Sequence, residues 1–226
     1  LNSVEGCRIQ NLKFDGNKDI YSSSNNNIGI DLNSSSNNTI TGNTCNNNAR
    51  IGIHLDSSSN NTITGNTCNN NARNGIHLDS SSNDNNITGN ICNNNTYNGI
   101  RLFSSNNNII TGNTCNNNNI GIDLNSSNNN TTTGNNCSNN NNGINLFSSN
   151  NNTITGNTCN NNNGTGICLV LSNNNTTTGN TCIRGTGQTN DYTSDQYTIL
   201  LHGPSHNNLI SSNNCMGKAV VVWGGT

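Results

Sequence analysis

Aromatic residues make up 4% of this 226-residue chain, charged residues 8%, and hydrophobic residues of every kind only 27%. That is too little apolar material for a conventional globular core. Eight Lys and Arg face ten Asp and Glu, for a net charge of −2, so there is no basic face to hold nucleic acid. No apolar run approaches the roughly 18 residues that span a bilayer, which excludes a membrane span. The start Leu1-Asn2-Ser3-Val4 shows neither an initiator methionine nor a signal peptide. We therefore expect a mature or excised segment, extracellular or at the cell surface.

Asparagine, by contrast, supplies 64 residues. Composition alone would suggest an Asn-rich disordered tract, but disorder gives no reason for apolar residues to keep a fixed phase. Here Ile40, Ile63, Ile87, Ile110, Ile154 and Ile210 share one position of a block that recurs along almost the whole chain, with Thr132 and Thr177 taking that place in two copies. The cysteine of the block returns at 45, 68, 92, 115, 137, 159, 182 and 215, and its first six steps are 22 to 24 residues long. A period that regular is architecture.

Within a copy, apolar and polar residues alternate over short stretches such as Thr39-Ile40-Thr41 and Gly52-Ile53-His54-Leu55. Period two means strands, and the Gly, Asn and Ser between them are turn formers that tolerate left-handed backbone. Short strands repeated in tandem describe the coils of a β-solenoid, each pairing in parallel with the next at about 4.8 Å. Stacking also explains the composition, because a few inward positions line up as columns: the Ile40 series, the Cys45 series and the Ile53/Leu55 series. The asparagine at 43, 66, 90, 113, 135, 157, 180 and 213 reads as a ladder whose amides bond from rung to rung. The glycine before it, and the one opening each Gly-Ile-x-Leu, are expected to serve sharp bends.

The pattern Asn-x-Ile-x-x-Asn, then Gly-Ile-x-Leu, then Ser-x-Asn resembles the right-handed parallel β-helix repeat of NosD-like periplasmic proteins, pectin-degrading enzymes of the pectin-lyase-like superfamily and many archaeal surface proteins. The nearly identical Asn- and Ser-rich copies are most similar to the archaeal group. The resemblance covers about residues 7 to 222 and speaks for fold rather than function, since this fold carries unrelated activities. The expected fold class is thus an all-β, right-handed parallel β-helix of about nine coils in one domain. It divides into an irregular coil over 1–28, regular repeats over 29–182, an insertion over 183–197 and final coils over 198–226. Neither end carries the amphipathic helix that often caps such a fold.

The residue between Ile and Leu in each Gly-Ile-x-Leu is expected to point outward, giving a row of Asp31, His54, His77, Arg101, Asp123, Asn145 and Cys168. Two positions on lie Asp56 and Asp79. His54, Asp56, His77 and Asp79 fall within about one rung of each other, close enough to share a metal ion or grip a polar ligand. The stretches around 43–60 and 66–83 are almost the same sequence, so duplication accounts for the second pair, and no metal or cofactor is expected. Enzymes resembling this fold cleave acidic polysaccharides with clustered Asp, Arg and Lys on one strand face. This chain has Arg50, Arg73 and Arg101 near the row, without a lysine there or the isolated acidic pair that glycoside hydrolysis requires. Thr39/Thr41, Thr62/Thr64, Thr131/Thr133, Thr153/Thr155 and Thr176/Thr178 form two outward files similar to ice-binding faces, interrupted by Asn86, Ile109 and Leu209, and β-branched residues are also simply good strand formers.

Ten cysteines invite a disulfide framework, but stacked Cβ atoms about 4.8 Å apart exceed the usual 3.5–4.5 Å. Eight are expected to form a column of buried thiols, with Cys168 outward as a free or intermolecular thiol. Asn-x-Ser/Thr sequons at Asn33, Asn37, Asn60, Asn86, Asn94, Asn125, Asn129, Asn130, Asn136, Asn151, Asn163, Asn174 and Asn175 are candidates for glycosylation. The leading expectation is a non-enzymatic structural protein, a surface-layer, adhesin or filament module roughly 40 Å long from the strand spacing. Assembly would be head to tail with copies of itself, Val220, Val221, Val222 and Trp223 meeting a partner's Leu1, Val4, Ile9 and Leu12. Carbohydrate binding or cleavage on the His54/His77/Arg101 face, with glycans as partners, is the first alternative. Ice binding through the threonine files is the second.

Overall fold

The computed structural model describes residues 1–17, 28–184, 197–217 and 220–223. Most of the insertion expected over 183–197 lies outside the described residues. Every strand pairing is parallel, and the chain winds as a β-helix with two nine-stranded sheets. The narrow sheet stacks three-residue strands, from Arg8–Gln10 through Thr39–Thr41 and Thr62–Thr64 to Leu209–Ser211. The wide sheet stacks mostly six-residue strands, from Ile28–Asn33 and Ile51–Asp56 to Tyr197–His202 and finally Val220–Trp223. A third face is mostly single bridges in sequence, Thr44 to Thr67, Ile91, Thr114, Asn136, Thr158 and Thr181.

Register is strict, and it places like on like. Ile63 pairs Ile40 and Ile87, and Leu55 pairs Leu32 and Leu78. A one-residue slip would turn every inward side chain outward, so a buried face fixes the register. The resulting interior is a stack of fully buried Ile, Leu and Cys side chains, Ile40, Ile63, Leu55, Leu78, Cys68 and Cys92 among them. Thr132 and Thr177 occupy the isoleucine column with buried hydroxyls that find no partner, a defect of about 1–3 kcal/mol each. In the narrow sheet the second threonine file runs unbroken from Thr41 to Thr178, while Asn86, Ile109 and Leu209 interrupt the first.

Polar stacking goes further than the sequence suggests. The expected ladder is present: the main-chain N–H of Asn43 donates to Asn66 Oδ1 at 2.9 Å, and Asn66 repeats the bond to Asn90 at 2.9 Å. Two more asparagine ladders run beside it, through Asn38, Asn61, Asn85 and Asn108 and through Asn48, Asn71, Asn95 and Asn118. A serine ladder begins Ser35, Ser58, Ser82 and resumes from Ser105 to Ser127 and Ser149. Each gives the buried backbone of a turn the partner that a sheet would otherwise supply.

The two glycine series divide the labour differently from the sequence expectation. Gly112, before the ladder asparagine, has φ +63 and open space where a Cβ would be, so it serves a bend. Gly121 instead lies where a Cβ would come 2.5 Å from the Gly143 carbonyl oxygen of the next rung. Close backbone approach, not a bend, requires glycine there.

All ten cysteines are free, eight of them buried and only Cys7 and Cys215 half-buried. Burial pushes the Cys92 and Cys137 thiols well above their ordinary range. Cys168 departs from its expected outward exposure: it is 7% exposed, covered by its neighbours on the wide sheet, and its thiol is pushed up to about 11. A thiol reagent applied to the native protein should therefore label two cysteines, and the other eight only on unfolding. Rapid labelling of more than two under native conditions would contradict the buried column.

Candidate functional site

The wide sheet turns the alternate residues of Gly-Ile-x-Leu away from the core, and strand register carries them into one row. Asp31 pairs His54, His54 pairs His77, His77 pairs Arg101, and Arg101 pairs Asp123. A second file forms at the corner before each strand. There the N–H of Arg73 donates to the Arg50 carbonyl at 2.8 Å, that of Tyr97 to Arg73 at 2.9 Å, and that of Ile120 to Tyr97 at 3.0 Å. The row and the corner file wall a groove of about 640 Å³, to which Asp79, Asn74 and Asn98 also contribute.

The row is only in part the exposed surface expected from alternation: Asp31 is exposed, and His54, Arg101 and Asn145 are half-buried. His77 is 9% exposed and Asp123 7%, because long side chains on adjacent rungs cover them. Burial, then the unfavourable interaction of its charged form with His54, Arg101, Arg50 and Arg73, brings the His77 imidazole down to about 3, so it stays neutral. Both of its ring nitrogens are buried without a hydrogen-bond partner. The rings of His54 and His77 lie 5.4 Å apart between centroids. Nδ1 of His54 lies 2.9 Å from Asp31 Oδ1, and since a carboxylate only accepts, Nδ1 carries the proton and Nε2 is left as the acceptor.

Further along the row, Asn145 Nδ2 donates to Asp123 Oδ1 at 2.9 Å, and Arg101 Nε stands 3.6 Å from Asp123 Oδ2. Burial raises the Asp123 carboxyl above its ordinary value, against the opposing pull of Asn145 and Arg101. The Arg101 guanidinium also sits over the Phe103 ring, 5.3 Å from its centroid, a cation–π contact that fixes its direction.

Of the five ligand-binding candidates, the structure brings His54, His77, Asp79 and Arg101 into the groove and leaves Asp56 out of its lining. Asp56 instead accepts from the Ser57 hydroxyl at 3.0 Å. Tyr97, missed in the sequence, was signalled by its place in the repeat, where it replaces Arg50 and Arg73. The assembly candidates lie at opposite ends of the stack. Leu1, Leu12, Val220 and Val222 are exposed, Val4 and Val221 are half-buried, Ile9 packs against the core, and Trp223 ends the last strand. Among the sequons, Asn130 and Asn175 are excluded. Both are buried in a ladder with the side-chain nitrogen already donating to the next rung, at 3.2 and 3.1 Å. Asn125 and Asn136 are half-buried and the other nine candidates exposed.

The family model described as periplasmic copper-binding protein (NosD) matches residues 1–73 and 54–198, and the chain belongs to this family. No curated protein matches it in sequence. Among solved structures, the periplasmic alginate epimerase AlgG superposes with a TM-score of 0.69 at 17% identity, over 97% of this chain and 60% of that one. The A-module of the mannuronan C-5 epimerase AlgE4 of Azotobacter vinelandii gives 0.76 at 15% identity, over 97% and 73%. An alginate lyase from Paenibacillus sp. str. FPU-7 gives 0.55 at 15%, over 96% and 91%. The chain thus spans about three fifths of the length of AlgG, and at these identities the likeness establishes the parallel β-helix.

The family description names copper, and the donors present fit such an ion. One ligand atom each from His54, His77 and Asp79 lies within 4.8 Å of the others. Ligand atoms around one small ion sit roughly 3–4 Å apart, given bonds of about 2 Å, so the three side chains need to draw in by about 1 Å. Two imidazoles and a carboxylate suit copper or zinc.

Proposed function

We propose that the groove binds an acidic polysaccharide of the uronate type. The observation that carries this reading is the convergence of Arg50, Arg73 and Arg101 on one groove. A guanidinium is always charged and presents a planar fork that matches a carboxylate in two parallel bonds. Arginines on successive rungs, about 4.8 Å apart, address successive charges of a polyanion, whereas a neutral glycan would leave Arg50 and Arg73 without a charged partner. Tyr97, 53% exposed at the rim, offers a ring face to the apolar side of a sugar. The alginate-acting structures above share the fold, and alginate is a polyuronate. Together these support the carbohydrate alternative over the filament module. The family description supports a place outside the cytoplasm, and no helix among the described residues is long and apolar enough to cross a membrane.

Titration calorimetry against oligomannuronate and against a neutral glucan tests the reading. Binding should be confined to the uronate and should weaken with added salt. Arg73→Ala should lower affinity about tenfold or more, from charge-assisted bonds of about 1.5–3 kcal/mol. Equal affinity for the neutral glucan, or an unchanged Arg73→Ala, would remove it.

A further inference from the structure

We propose that His54, His77 and Asp79 form a transition-metal site, with Asp31 as the outer group that orients His54. Three independent features of the side chains converge on it. First, the donor atoms cluster within 4.8 Å on two adjacent rungs held in strict register, so both imidazoles are presented by rigid strands rather than loops. Second, His77 is nine-tenths buried and neither ring nitrogen has a partner. A buried unpartnered polar atom costs about 1–3 kcal/mol, and a metal bond would relieve it. Third, Asp31 holds the Nδ1–H of His54 at 2.9 Å, the carboxylate–histidine arrangement that fixes the tautomer and turns Nε2 toward a metal.

Asp79 is arranged in the same sense. Its Oδ1 accepts the N–H of Ser80 at 2.8 Å, which leaves Oδ2 for coordination. Arg50, Arg73 and Arg101 oppose a cation here, while the carboxylates of Asp31 and Asp79 favour it. The balance selects an ion that binds nitrogen strongly over one that relies on charge. Among divalent first-row ions that order ends at Cu(II), and the set has no thiolate to favour a softer one. Calcium and magnesium, which want six or more oxygens, are excluded by the same donor set.

The test is calorimetric titration of Cu(II) into the chelator-stripped full chain, with electron paramagnetic resonance of the loaded form. We expect one tight equivalent and a spectrum carrying hyperfine splitting from two imidazole nitrogens. His54→Ala and Asp79→Asn should each weaken that equivalent at least about tenfold. Asp31→Asn, which removes no ligand, should weaken it by about 10-fold to 100-fold, with circular dichroism unchanged in all three. Unaltered Cu(II) affinity in His54→Ala, or a spectrum without imidazole nitrogen, would overturn the proposal. The uronate titration is run separately with chelator present, so failure of the metal site and failure of the glycan reading are read independently.

Discussion

Replacing Asn113 with alanine is expected to destabilise the protein by about 3–5 kcal/mol, whereas Asn119→Ala, at an exposed neighbour, should stay within about 0.5 kcal/mol. Asn113 is 1% exposed and its side chain makes four bonds. Its Oδ1 accepts the main-chain N–H of Asn90 at 2.8 Å and the Asn90 side-chain amide at 3.0 Å. Its Nδ2 donates to the Ile87 carbonyl at 2.9 Å and to Asn135 Oδ1 at 3.0 Å. Truncation orphans the buried N–H of Asn90, at about 1–3 kcal/mol, and removes three further bonds worth about 1 kcal/mol apiece at most. The loss falls on two rung-to-rung interfaces at once, and in a solenoid such nearest-neighbour terms set stability. Urea midpoints of the two variants measure it. Equal midpoints would mean that the ladder is an ornament of composition rather than a structural element.

The same ladders show where the sequence could be read and where it could not. The Asn43 series was legible because seven of its eight copies directly follow a glycine, and all keep phase with the Ile40 column. The Asn38 and Asn48 series were hidden because they lie inside asparagine runs, where identity does not distinguish an inward residue from its neighbour. Backbone conformation does: Asn47 is left-handed at φ 56, and that turn sends Asn48 into the interior, 2% exposed. The site divides likewise. Strand alternation put His54, His77 and Arg101 in one row, so their adjacency was available from the period alone. The burial of His77 and Asp123 and the Asp31–His54 bond were not, because they depend on how side chains of neighbouring rungs and the corner file close over the row. The inward-facing chemistry is periodic and the covering is not.

That covering leads to the other large effect. In metal-free protein, with chelator present, stability should fall as pH drops from about 6.5 toward 3, by a total of about 4–5 kcal/mol at 1.36 kcal/mol per pH unit. The imidazole of His77 lies at about 3 in the folded chain and near 6.5 in an unfolded one. Between those values the unfolded state binds a proton that the folded state refuses, so acid favours unfolding, and above about 6.5 the contribution is complete and flat. Asp123 works in the opposite sense. Its carboxyl is raised, so the folded state holds that proton more firmly, and part of the acid loss is offset just above the ordinary aspartate range. Replacing the imidazole by an apolar side chain separates the two. His77→Leu should flatten the denaturation midpoint between pH 6.5 and 4 and leave the opposite slope from Asp123. A wild-type profile as flat as that of His77→Leu, or a nuclear magnetic resonance titration placing His77 near 6.5, would show that the groove admits water to this ring. The relief expected from a metal bond would then vanish with it.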